Sequence, residues 1–405
     1  MRILAIETSC DETGIAVVET RGSSATPKSL KVLANTLISQ ASLHAQFGGV
    51  FPALARREHA KNIMPLLIHA LTEAGIAKKL KKSRVLTAKE GAAFAKIFHK
   101  EPELFATFKD TLLSLKIPAI DAVAVTSGPG LEPALWVGIN TAEALGALWG
   151  VPVIPVNHME GHIATALLEL DPLKPKTYHL KPANYPALAL LISGGHTELV
   201  LMPSKGKYKM LGQTRDDAVG EAFDKVARML GLGYPGGPEI SKLAEKVPHN
   251  QALAVPLPRP MLKSGDFDFS FSGLKTSVLY AIKKFETLTE RDRELIAKDF
   301  EDSVTEVLVT KTIRAGKKYN VKEIILGGGV TANKEIRKVF TETVAREMPD
   351  TKLFIPSVLL SGDNGLMIAV AGLLRSKSQK HILANGTLKL AKSVSPTLEE
   401  LRKRR

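Results

Sequence analysis

Apolar and polar positions divide the chain into short buried strands, polar turns and longer helices. Ile3 to Glu7 reads as a buried strand, Thr8-Ser9-Cys10-Asp11-Glu12-Thr13-Gly14 as a polar turn, and Ile15 to Val18 as a return strand, together a hairpin. The pattern comes back as Ala187 to Ile192, the turn Ser193-Gly194-Gly195-His196-Thr197, and Glu198 to Met202, which predicts duplicated lobes. After each hairpin come alternating strand and helix signals, with strands at Ala119 to Thr126, Val153 to Val156 and Glu323 to Leu326, so the fold class is α/β. In open α/β sheets the carboxyl ends of the strands face the ligand crevice. Here those ends carry Thr126-Ser127-Gly128-Pro129-Gly130 and Gly327-Gly328-Gly329, which predicts a nucleotide cleft between the lobes.

Two stretches break the alternation and read as insertions. Ala77 to Lys116 is lysine-rich, and the spacing of Ala92, Phe94, Ile97, Phe105, Leu112, Leu113 and Leu115 predicts a short helical excursion. Leu170 to Tyr185 is proline-rich. The expected division is an N-terminal lobe over 1–185 with a basic insertion at 77–116, a C-terminal lobe over 186–375, and a basic tail over 376–405 ending Arg402-Lys403-Arg404-Arg405.

Composition narrows the function classes. At 405 residues and 44% hydrophobic content the chain can bury a large core, and 55 basic against 41 acidic residues give a formal charge of +14 that favours polyanions such as RNA. Solvated lysine faces would produce the same excess. The single Cys10 rules out an internal disulfide or a cysteine zinc cluster and suits a reducing compartment. No apolar run approaches the roughly 20 residues of a membrane span, so the expected location is the cytoplasm.

His158-Met159-Glu160-Gly161-His162 follows a strand and opens a helix, placing the two histidines at i and i+4 on one face. Both can reach one metal ion if a third ligand joins them, and Asp363, in Ser361-Gly362-Asp363-Asn364-Gly365, is the best candidate. Its competing role is a helix N-cap. A His, His, Asp set leaves coordination positions open and suits Fe(II) or Zn(II). A zinc protease would place its Glu directly after the first His; Glu160 is one position later, on the opposite side of the helix, which excludes that chemistry. The glycines of Ser193-Gly194-Gly195 and Gly327-Gly328-Gly329 let backbone amides approach a phosphate or ribose, although sharp turns use glycine for conformational reasons as well. Asp224 lies within Gly220-Glu221-Ala222-Phe223-Asp224-Lys225, where it can accept hydrogen bonds from ribose or from an amine.

These segments, with Ile6-Glu7-Thr8-Ser9-Cys10-Asp11-Glu12-Thr13, Gly48-Gly49-Val50-Phe51-Pro52, Arg56, Glu58, His59, Phe271-Ser272-Gly273-Leu274-Lys275-Thr276 and Gly328-Gly329-Val330-Thr331-Ala332-Asn333, together resemble the TsaD family of the actin, Hsp70 and sugar kinase superfamily. The resemblance covers most of the chain. It implies a two-lobed actin-like (ASKHA) fold and transfer of threonylcarbamoyl from threonylcarbamoyl-AMP to N6 of the adenosine 3′ of the anticodon, in tRNAs reading codons that begin with A. It further implies one divalent metal on His158, His162 and Asp363, an acidic catalytic loop at Asp11 and Glu12, and donor binding by Leu191, Ile192, Ser193, Gly194, Gly195, Asp224, Gly237 and Asn333. Expected partners are tRNA, the paralogue TsaB and the ATPase TsaE. Ser241 stands where many relatives carry Asp, so it is not counted among the donor contacts, and the insertions and tail depart from the usual pattern. The competing readings are a kinase or phosphatase of the same superfamily, and a catalytically silent scaffold binding tRNA or a paralogue.

Overall fold

The computed structural model describes residues 1–20, 28–248, 251, 253, 255–375 and 381–390. The basic run Arg402 to Arg405 therefore lies outside the described residues. The chain forms two compact units, one from Met1–Lys181 with Asp363–Lys389 and one from Pro182–Gly362 with Leu390.

The first unit is built on strands β1 (Arg2–Glu7), β2 (Glu12–Thr20), β3 (Ser29–Ser39), β4 (Ala122–Gly128), β5 (Val153–Asn157), β6 (Leu168–Leu170) and β7 (Thr177–Leu180), in the order β5-β4-β1-β2-β3-β7-β6. β1, β2 and β3 pair antiparallel, whereas β4 and β5 run parallel to β1. Its helices are α1 (Ala41–Ala45), α2 (Pro52–Glu73), α3 (Ala88–Ile97), α4 (Pro102–Leu112), α5 (Glu132–Trp149) and α6 (His158–Ala166). The second unit has β8 (Ala187–Ile192), β9 (Thr197–Ser204), β10 (Lys207–Gln213), β11 (Glu323–Gly327) and β12 (Lys352–Phe354), in the order β10-β9-β8-β11-β12. Its helices are α7 (Val219–Met229), α8 (Gly236–Ala244), α9 (Ser272–Ile282), α10 (Glu290–Lys318), α11 (Lys334–Glu347) and α12 (Val358–Ser361). β8, β9 and β10 again pair antiparallel and β11 and β12 run parallel to β8. Strand for strand this repeats β1 to β5, so the duplication read from the two hairpins is a duplication of sheet topology. The two-lobed α/β class is the observed one.

One helix breaks the simple order. The last, α13 (Gly365–Arg375), packs on β1, β2, β4 and β5 of the first unit rather than closing the second. The contact is backbone to backbone: a Cβ on Gly365 would lie 2.5 Å from Ala16 N, and one on Gly14 would lie 2.7 Å from Gly365 N. No side chain fits there, and this is how the residues just ahead of α13 are seated at the end of β1. On the other face, α2 and α5 bury Ile63, Leu67, Leu71, Leu135, Ile139 and Leu145 against Leu4, Ile6, Ile15 and Val17.

The two expected insertions take different forms. Ala77 to Lys116 holds α3, which begins with a capping box between Thr87 and Glu90, and α4; Phe94, Phe98, Leu104, Phe108 and Leu112 join the first unit's core. Leu170 to Tyr185 is less irregular than its prolines suggest. Its β7 pairs antiparallel with β3 and with β6, extending the sheet at its edge.

Candidate active site

β5 passes directly into α6, and the turn between them sets the geometry. Asn157 caps the helix by accepting the Met159 N–H at 2.9 Å, so His158 is the first helical residue and His162 sits one turn on, both buried. Asp363 completes the group. Its Oδ1 lies 3.1 Å from His162 Nε2 and 3.4 Å from His158 Nε2, and the two Nε2 atoms are 3.2 Å apart. The competing capping role belongs to the next residue: Asn364 Oδ1 accepts the Met367 N–H at 3.1 Å, leaving Asp363 to face the histidines.

Behind His158 stands Glu7, fully buried at the end of β1. Its Oε2 is 3.3 Å from His158 Nδ1 and accepts from Thr126 Oγ1 at 2.5 Å, while Oε1 accepts the Ser9 N–H at 2.5 Å. Ser9 Oγ lies 3.1 Å from the same Nδ1. A histidine whose Nδ1 faces a carboxylate presents Nε2 to a ligand, the usual outer-shell arrangement of a metal histidine. His162 Nδ1 has no such partner among the described residues. Glu160 points away, as its position on the helix requires, and pairs with Arg375 at 2.6 Å.

Burial alone would lower His158, but Asp363 and Glu7 outweigh it and raise the imidazole well above its ordinary value. Asp363 shows the mirror effect: burial would raise it, and the two histidines pull it below the usual carboxylate range. The pocket is thus an anionic cradle that stabilises positive charge between its ring nitrogens. Ligand atoms separated by 3.1 to 3.4 Å are the edges expected around an ion with bonds of about 2.0–2.1 Å. The three side chains fit one small divalent cation.

The acidic loop lies beside this cradle, since Ser9, which touches His158, is two residues from Asp11. Asp11 and Glu12 are held at the start of β2. His59 of α2 is buried and clamps the loop, its Nε2 donating to Cys10 O at 3.0 Å and its Nδ1 accepting from Thr13 Oγ1 at 2.8 Å. Burial lowers its pKa, consistent with this neutral tautomer. Gln40 N donates to Asp11 O at 2.9 Å. Burial, followed by the charges of Asp11 and Asp363, pushes Glu12 up to about 9, so its carboxyl holds a proton at neutral pH. Cys10 is likewise raised by burial and by Asp11, which leaves it an unreactive thiol.

The expected donor residues all lie in the second unit and form a connected chain. Leu191 and Ile192 are strand residues with fully buried side chains, so they can offer a ligand only backbone. In the turn that follows, a Cβ on Gly194 or Gly195 would meet nothing within 4 Å. Gly220, at the start of α7, packs on that turn, with its N–H 3.2 Å from Ser193 O. Asp224 of α7 accepts the Gly236 N–H at 2.7 Å, fixing the start of α8 beside Gly237. Asn333 caps α11 by accepting the Ile336 N–H at 2.9 Å, and its amide donates to Glu301 Oε1 at 2.6 Å and Ser241 Oγ at 2.9 Å. Ser241, set aside on sequence grounds, therefore sits inside this network. Glu301 and Glu7 are the residues that sequence reasoning missed. Glu7 ends an otherwise apolar buried strand, which was a readable signal; Glu301 lies in a long helix rich in charge, where nothing distinguished it.

A duplicated α/β architecture with a clustered His, His, Asp group able to hold a metal ion defines the class. The family model described as TsaD, tRNA N6-adenosine threonylcarbamoyltransferase, matches residues 31–87 and 104–370. The tRNA N6-adenosine threonylcarbamoyltransferase of Endomicrobium trichonymphae is 43% identical over 377 residues, 93% of each chain. That of Burkholderia lata is 41% identical over 381 residues, 93% of this chain and 92% of its own. The chain belongs to the TsaD family and is a transferase. Among the described residues, no helix is long and apolar enough to cross a membrane.

Proposed function

We propose that this chain transfers threonylcarbamoyl from threonylcarbamoyl-AMP to N6 of the adenosine 3′ of the anticodon in tRNAs reading codons that begin with A. The observation that carries the reading is the His158, His162, Asp363 cradle beside the Asp11–Glu12 loop in a TsaD-family chain. His158, His162 and Asp363 would hold one divalent ion, Fe(II) or Zn(II). When bound, it supplies Lewis-acid stabilisation of charge developing on the donor.

The remaining steps belong to the protein. N6 attacks the carbamoyl carbon, the bond from that carbon to the AMP phosphate oxygen breaks, and the N6 proton passes to a base while AMP leaves. Asp11 is the acceptor we assign, because Glu12 already holds a proton at neutral pH. The His59 clamp keeps the loop in place for this transfer. The open turn at Ser193–Gly195, the start of α8 at Gly237, Asp224 and Asn333 supply the adenylate-binding elements, with Leu191 and Ile192 contributing backbone. TsaB and TsaE are the partners we assign, and the cytoplasm the location.

The test is reconstitution with synthetic threonylcarbamoyl-AMP and unmodified tRNA, with the metal present, with and without the two partners. Mass spectrometry of digested tRNA should find threonylcarbamoyladenosine. Its absence in every combination would overturn the assignment.

A further inference from the structure

The family model leaves out residues 88–103, and the segment around that gap is strongly basic. Between Ala77 and Lys116 there are ten Lys and Arg against four acidic residues. Two of the four acids are engaged: Glu90 with Arg84, and buried Glu101 with Arg56 and Asn140. Glu103 and Asp110 are exposed on α4. Lys78, Lys79, Lys81 and Lys82 are exposed and, among the described residues, form no ion pair, as do Lys96 and Lys100 at the end of α3.

These cations sit on ordered backbone. The tract is pinned along the end of α4, with Leu80 N donating to Ser114 O at 2.8 Å, Arg84 N to Leu113 O at 2.8 Å and Lys116 N to Lys78 O at 2.7 Å. The α3–α4 turn is pinned to α2: Arg56 donates to Lys100 O at 2.6 Å and to Glu101 at 3.1 Å, and Glu101 accepts from Asn140 at 3.1 Å. Arg56 lies three residues before His59, which clamps the Cys10–Thr13 loop, so one turn of α2, about 4.5 Å of rise, holds both the insertion and the acidic loop. A cation held in place loses less freedom on meeting an anion than one on a free tail.

We propose that the folded insertion is a phosphate-gripping surface for RNA, with Lys78, Lys79, Lys81, Lys82, Lys96 and Lys100 as its contacts. It registers the bound tRNA against the acidic loop through α2. The inference rests on the tRNA reading above. Four lysines within five residues can span at most about 13 Å, enough to meet more than one backbone phosphate.

The experiment measures the affinity of unmodified tRNA against salt for wild type and for the Lys78→Gln, Lys79→Gln, Lys81→Gln, Lys82→Gln variant, with melting temperature and metal content confirming the fold. Each lost phosphate contact removes about 0.7–0.9 from the slope of log K against log salt, so loss of four should lower the slope by roughly 3–4 and raise Kd at least tenfold at low salt. Lys283→Gln, Lys284→Gln, exposed on the second unit, is the charge control and should leave the slope in place. Glu101→Ala removes an anion, which simple charge counting predicts would tighten binding; loss of the anchor predicts a Kd at least threefold weaker. An unchanged slope in the quadruple variant, or tighter binding in Glu101→Ala, overturns the proposal. The modification assay separates the two ideas. Modified tRNA with an unchanged slope sinks the surface alone, whereas a reduced slope without any modification sinks the transferase reading and leaves the surface standing.

Discussion

Replacing Glu7 by Gln changes one atom at a site no solvent reaches, and the outcome can be worked out from hydrogen-bond polarity. Oε1 faces the Ser9 N–H, a donor that cannot be reversed, so the amide oxygen must take that side. The amide NH2 then faces Thr126 Oγ1 and His158 Nδ1. The threonine hydroxyl can rotate to accept. The imidazole can accept at Nδ1 only by carrying its proton on Nε2, the atom that must be free to bind a metal ion. The substitution therefore selects the wrong tautomer for ligation. Outer-shell changes of this kind typically cost 10- to 100-fold in metal affinity, or about 1.4–2.8 kcal/mol. The metal-free protein should also lose about 1–3 kcal/mol, because neutral bonds replace charge-assisted ones around a buried group. Titration of metal-free protein with Zn(II) against a competing chelator gives the affinity, and 15N chemical shifts of the His158 ring give the tautomer. An affinity within twofold of wild type would refute the argument, as would a His158 ring still protonated at Nδ1.

Further outcomes follow from neighbouring features. Asp363→Ala should abolish tight metal binding while leaving the α13 cap intact, whereas Asn364→Ala should retain the metal and cost about 1 kcal/mol of stability; metal analysis and denaturant melts on the pair check both. Glu12 has a folded pKa near 9 against an ordinary 4.5, so its contribution to stability is fully present below about pH 4.5 and is lost as pH rises towards 9. Glu12→Gln should therefore melt higher than wild type by a margin that grows from pH 5 to pH 9, measured without metal; a constant margin would count against the buried proton. Asn333→Asp keeps an acceptor for the Ile336 N–H but sets a second carboxylate beside Glu301, so binding of an unreactive adenylate analogue, followed by calorimetry, should weaken at least tenfold at neutral pH.

Much of the catalytic unit was legible because it depends on local periodicity. Hairpins announce themselves by alternation around a polar turn, and His158 and His162 fall on one face wherever a helix begins at Asn157. Asp363 was harder, because Asp363 and Asn364 are both good capping residues; only the structure shows that Asn364 caps and Asp363 faces the two histidine rings. Glu7 was quoted within a motif without a role, since its function depends on β1, β4 and α6 meeting, a contact across about 150 residues of chain. The edge hairpin of β6 and β7 was obscured by its prolines. The return of α13 had no local signal at all, as an apolar helix reads the same whichever sheet it covers.

That return has a consequence for how the protein is made. The first unit holds both histidines once residue 162 has been synthesised, but the third member of the cluster is residue 363, which follows the second unit's residues 182–362 in the chain. At ribosomal rates of about 5–20 residues per second, the interval of about 200 residues lasts roughly 10–40 s. Throughout that time the nascent first unit also lacks the helix that covers one face of its sheet. Assembly of the proposed metal site would thus be a late event in biogenesis, possible only for a chain whose second unit has already left the ribosome, and a product terminated before residue 363 carries the two histidines without the carboxylate.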